Sequence, residues 1–151
     1  MPPQRKHLAY LFLVLTNLYG LRMGRARPDD SLLWVLAPLA VLASAVMHAE
    51  EGSRFLADPP ESVEAFRQRA WKLIVADRIA AGALVVYILF FYPEFFLRGL
   101  VWRLVLPGIF CILSSEPKAV HADPIVFALL HGTWHLLAFH LGYLAVCTPQ
   151  L

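Results

Sequence analysis

The chain is expected to fold as an all-α integral membrane protein, a helical bundle of about five transmembrane segments. Three observations predict this. Hydrophobic residues make up 59% and charged residues 16% of the 151 positions, with mean hydropathy +0.60, so there is too little polar surface to coat a water-soluble domain of this length. Apolar stretches recur along the chain, several of them near the ~20 residues needed to cross ~30 Å of hydrocarbon. Prolines, glycines and charges fall between those stretches, where helices must end or turn. The formal net charge is only +2, and the basic residues are scattered rather than gathered on one face, which argues against nucleic acid and points to no acidic partner. One transmembrane domain, 1–151, uses the whole chain.

The first segment, Leu8 to Leu21, is short. Arg5 and Lys6 ahead of it would also suit a signal peptide, but Gly20-Leu21-Arg22-Met23 offers no small-residue cleavage pattern, so a retained helix is preferred. The second runs from Leu32 to Ala49, with Pro38 expected to kink it. Residues 50–70 form the longest non-apolar stretch, holding Gly52, Pro59 and Pro60, and read as an interfacial loop with a short helix over Ser62–Arg67. The third segment, Trp71 to Tyr92, and the fourth, Phe95 to Leu113, are separated only by Pro93 and Glu94. Proline lacks an amide donor and disfavours helix in the residue before it, so these two are expected to pack antiparallel. Pro107-Gly108 should kink the fourth, and the fifth runs from Ile125 to Val146. Cys111 and Cys147 fall near opposite faces of an alternating bundle and are expected as buried free thiols.

Ionisable groups inside such segments are costly and tend to mark a site. Ser44-x-x-x-His48 lies in the second segment, Asp77 in the third and His131-x-x-x-His135 in the fifth. With alternating helices all of these fall in the leaflet on the N-terminal side. Asp77 lies six residues past Trp71, about 9 Å deep, and His131 seven residues past Pro124, about 10 Å deep. Four residues advance a helix by about 400°, so His131 and His135 present their rings to one point. His140 is turned about 140° from His135 and should instead hydrogen-bond a neighbouring helix. His121 and Asp123, ahead of the fifth helix, read as solvated loop residues near the site mouth.

Three neutral imidazoles suit zinc in a tetrahedral site whose fourth position stays open for water, the catalytic arrangement. Such a metal lowers the pKa of a water it holds to about 7. Asp77 is then placed to orient that water or accept its proton, and Ser44 to donate a hydrogen bond to a developing oxyanion. Each residue has a plainer reading: a membrane serine back-bonded to its own helix, histidines as interhelical glue, and Asp77 as half of an ion pair with Arg78 or another nearby base.

The order of these residues resembles the alkaline ceramidase, adiponectin-receptor (PAQR) and CREST superfamily of zinc-dependent membrane hydrolases. The local wording is similar as well: His131-Gly-Thr-Trp-His-Leu-Leu looks like the last-helix motif of alkaline ceramidases, and Asp77-Arg-Ile-Ala-Ala-Gly suits the family's third helix. The resemblance implies zinc on His48, His131 and His135, water positioning by Asp77, support from Ser44, and a lipid amide or ester as substrate. It also implies seven helices where this chain offers about five, so two must be dispensable or replaced by self-association. The 29 residues from His48 to Asp77 exceed the family's usual gap. Two other classes stay open: a haem-binding membrane anchor or electron-transfer subunit with two histidines as axial ligands, and a non-catalytic membrane scaffold with a structural metal. Seven basic residues on the N-terminal side against five on the other, counted along the expected topology, favour a cytoplasmic site.

Overall fold

A computed structural model describes residues 3–55, 61–96, 101–114 and 123–149, and among these every regular element is helical. Helix α1 (Pro3–Asn17) runs through a 3₁₀ turn (Leu18–Gly20) into α2 (Leu21–Ala26); then come α3 (Ser31–Phe55), α4 (Val63–Phe91), the single turn α5 (Pro93–Phe96), α6 (Trp102–Ser114) and α7 (Pro124–Cys147). Three helices, α3, α4 and α7, are long and apolar enough to cross a membrane. The chain is a multi-pass membrane protein. Helix α6, at 13 residues, spans only about 20 Å at 1.5 Å per residue and falls short of a full crossing, as does α1 taken alone.

The 3₁₀ turn has a local cause. Thr16 Oγ1 and Asn17 Nδ2 both donate to the Leu13 carbonyl, at 2.7 and 3.0 Å, competing with the regular backbone ladder and tightening the next turn. Pro28 then forbids helix at Arg27. Asp30 restarts it, its carboxylate accepting from the Leu33 amide at 2.9 Å, the usual N-terminal cap. The same carboxylate accepts from Tyr87 and Tyr92 at the far end of α4, which ties the start of α3 to the end of α4. Burial raises the Asp30 carboxyl, but these hydrogen bonds and Arg27 outweigh it and hold the group below the usual carboxylate range.

Two sequence expectations are corrected here. Residues 50–70 are not an interfacial loop: α3 continues to Phe55, and Ser62 caps α4, accepting from the Ala65 amide at 3.2 Å. The expected short helix over 62–67 is therefore the first turn of a 29-residue helix. Arg69 closes this end by pairing with Glu50 at 2.6 Å and Glu61 at 2.9 Å. Pro59, Pro60 and His121 lie outside the described residues. Second, α6 does not pack on α4. It lies on α7, where Gly108 meets the Trp134 ring. Pro38 and Pro107 both stand inside helices. Cys111 is buried and Cys147 exposed, both as free thiols, so the second expected buried thiol is not one.

Helix α1 is the wedge of the bundle, packed against α3 on one side and α7 on the other, while α4 lies on the outer flank of α3. Close approach is purchased with glycine at the wedge. A Cβ on Gly20 would sit 2.7 Å from both the Phe139 ring and Val41. The core splits into two apolar clusters, one holding Leu13, Phe55, Phe66 and Phe127, the other Met23, Leu33, Leu84, Ile88 and Val146. Gly20→Ala should therefore lower thermal stability in detergent by about 1–3 kcal/mol through overpacking. Gly82→Ala, where a Cβ meets nothing within 4 Å, should leave the melting temperature unchanged or raise it.

Candidate metal centre

Between the two clusters each long helix contributes its polar residues at one level. Ser44, His48 and Glu51 recur at helical spacing on one face of α3, His131 and His135 on one face of α7, and Asp77 on α4. All six line a single cavity of about 860 Å³ with predominantly apolar walls. The three imidazoles converge. His48 Nε2 lies 3.0 Å from His135 Nε2, and the ring centroids of His48–His131, His48–His135 and His131–His135 stand 4.8, 5.0 and 5.0 Å apart.

One nitrogen from each ring lies within 4.8 Å of the others. Zinc–nitrogen bonds of ~2.0–2.1 Å place tetrahedral ligands about 3.4 Å apart, a value that the observed 3.0 and 4.8 Å bracket. The donor set thus fits a metal ion, reached by small rotations of the side chains. Aromatic neighbours one turn away hold the two α7 rings: Phe127 stacks on His131 at 5.3 Å, and Phe139 lies against His135 at 6.1 Å.

Glu51 was not anticipated from the sequence. Its Oε2 lies 2.8 Å from His48 Nδ1, and the pair is buried. A carboxylate that accepts Nδ1–H fixes the tautomer, leaves the Nε2 lone pair aimed at the cluster and makes the ring a better donor to a metal. The i, i+3 spacing to His48 was the available signal. The loop that Gly52, Pro59 and Pro60 suggest from residue 50 onward hides it.

Asp77 and Ser44 sit as the sequence placed them, beside the imidazoles. Ser44 and Asp77 face each other within reach of a hydrogen bond, yet neither Asp77 Oδ1 nor Ser44 Oγ, both buried, has a partner at hydrogen-bond geometry. Two plain readings fall with this: Ser44 does not back-bond to its own helix, and among the described residues Asp77 forms no ion pair. Buried polar atoms of native proteins are nearly always satisfied, so a carboxylate oxygen and a hydroxyl left open beside three imidazoles mark a place for a polar ligand. The other two polar residues behave as expected of structural groups. His140 Nδ1 meets Tyr19 OH at 2.8 Å on a different helix, and Asp123 caps α7 by accepting from the Ile125 and Val126 amides.

Comparison of the chain with protein-family models, curated proteins and solved structures finds no match. What the cluster does must be argued from its own chemistry. His131→Ala should reduce bound divalent metal, measured by elemental analysis of purified protein, from about one equivalent to background. Glu51→Gln keeps the shape of the site but not the charge that supports His48, and chelator competition should show affinity falling about 10–100-fold.

Proposed function

We propose that this chain is a zinc-dependent membrane hydrolase that cleaves an amide or ester of an acyl lipid, with ceramide-like chemistry. One observation carries the reading: three imidazoles converge beside a carboxylate oxygen and a hydroxyl that lack hydrogen-bond partners, inside one apolar cavity. A structural metal site would close its fourth position with a further protein ligand, whereas among the described residues this donor set holds three and is joined by two groups suited to handling protons and oxyanions. The order of these residues resembles that of the alkaline ceramidase and adiponectin-receptor superfamily, which supports the same assignment.

His48, His131 and His135 would hold the ion, with Glu51 behind His48. When bound, zinc supplies a Lewis acid that polarises a carbonyl and makes hydroxide accessible near neutral pH. The chain's own groups divide the remaining work. Asp77 accepts the proton of the attacking water and returns it to the departing amine or alkoxide, so the hydroxyl goes to the acyl carbon and the proton to the leaving group. Ser44 donates a hydrogen bond to the oxygen that gains charge in between. The apolar walls, from Phe55 and Phe66 at one end to Leu84 and Ile88 at the other, accommodate a hydrocarbon tail while the carbonyl sits at the imidazoles.

The haem alternative loses support from the same geometry. Two axial imidazoles need the space between them for a porphyrin plane, but the third ring, His131, stands 4.8 Å from His48 and 5.0 Å from His135, a three-histidine arrangement that axial ligation leaves unexplained.

Asp77→Asn should retain metal and lower kcat about 10²–10⁴-fold. The assay is fatty-acid release by protein in lipid nanodiscs, offered ceramide, simple esters and phospholipids in turn. Metal-loaded wild type that releases nothing from any of them would overturn the reading.

A further inference from the structure

The cavity that holds the imidazoles is also lined by Arg78, the residue after Asp77. Its neighbours on the same stripe of α4 are Val75, Ala81 and Val85, and α4 lies on the outer flank of the bundle with only 17% of its apolar window buried. Arg78 is itself exposed, so it stands between the cavity and the outer side of α4, one residue from Asp77. Among the described residues it forms no direct ion pair, although its charge acts on Asp77 across the same space. A guanidinium at membrane depth that no carboxylate touches is costly. It is also a fork that matches the oxygens of a phosphate or carboxylate.

We infer that Arg78 is the headgroup-recognising residue of this cavity, and that the lipid taken there carries an oxyanion, a phosphate or a carboxylate, close to its acyl carbonyl. The inference rests on the hydrolase reading for the identity of that carbonyl, but the recognition itself is a binding property. Charge favours it: two arginines, Arg67 at the cavity edge and Arg78, balance Asp77 and Glu51, so a bound dication leaves the cavity net positive. The competing account is that Arg78 merely reaches up to the bulk headgroups. It lies seven residues past Trp71 along α4, about 10 Å and within the range of such a reach, and the experiment separates the two.

Trp71 and Trp134 line the cavity, so a Trp34→Phe/Trp102→Phe background reports occupancy by fluorescence quenching. The protein is placed in phosphatidylcholine nanodiscs and titrated with brominated phosphatidate, brominated fatty acid, brominated diacylglycerol or brominated phosphatidylcholine. Stronger quenching by phosphatidate or by fatty acid than by diacylglycerol supports the inference and tells phosphate from carboxylate. Arg78→Gln should erase that preference, a loss of about tenfold in apparent affinity, whereas Arg78→Lys should keep part of it. Equal quenching by all four lipids, or a preference that survives Arg78→Gln, overturns the inference. Melting temperature and metal content check that the variants are folded.

Turnover is then measured on the same lipids. If none is hydrolysed while the Arg78-dependent preference persists, the hydrolase reading falls and the oxyanion site stands. Hydrolysis without regard to headgroup charge, unchanged in Arg78→Gln, sinks the oxyanion site and leaves the hydrolase.

Discussion

The contact that the rest of this structure depends on is the one between His48 and His135. Helices α3 and α7 pack on opposite sides of α1, and across the cavity they meet through these two rings, 3.0 Å between nitrogens. On either side of that level the bundle is held by ordinary apolar packing in two separate clusters. A continuous apolar core would be more stable in isolation, since buried polar groups stabilise only when they are satisfied. Among the described residues four buried side-chain atoms are not: Asp77 Oδ1 and Ser44 Oγ beside the imidazoles, and Tyr10 OH and Asn17 Oδ1 on α1. The first two give up stability beside three imidazoles, the pattern expected of a site whose ligand completes it. An ion bound there joins α3 to α7 and stabilises the fold in proportion to its affinity.

Much of the site was legible because it rests on rules of spacing. Ser44 and His48, or His131 and His135, share a helix face whatever the rest of the chain does, and the alternation of apolar segments placed Asp77 beside them. The helical membrane class followed from composition for an equally general reason: lipid offers no hydrogen bonds to irregular backbone. Helix ends were less readable. Gly52 looks like a breaker, yet α3 runs through it because the bare Cα lets the Tyr10 ring approach, with a Cβ position only 2.8 Å from Tyr10 Cδ1. Ser62 was recognised as a helix start, but the helix it opens continues into the third segment because Val63, Phe66 and Ala70 bury themselves in the same cluster as Tyr10 and Phe55. Tertiary contacts decided both, and no local pattern encodes them. Glu51 was lost with the helix end that carried it.

The pairing of α6 with α7 rather than α4 has a similar origin. A short turn after Tyr92 makes neighbours in sequence the natural neighbours in space. The described turn α5 instead leads toward α7, where Trp134 finds the small surface of Gly108. Helix α6 thus covers α7, while α4 has α3 as its main partner and meets α7 more lightly, where Ile88 approaches Gly142.

The depth of the site bears on how a substrate of the proposed hydrolase would arrive. The charged cluster of Glu50, Arg54, Glu61 and Arg69 belongs at the water–lipid boundary, where both signs can be solvated. From Arg69 to Asp77 is eight residues of α4, about 12 Å of helix. A water-soluble substrate would have to descend that distance into an apolar cavity and lose its solvation on the way. A lipid already lies with its acyl carbonyl just under the headgroups and need only move sideways into the cavity. Under the proposed hydrolase reading, the depth that makes three histidines and an aspartate expensive to place is the depth at which a hydrophobic ester or amide would reach them more readily than a solute from water.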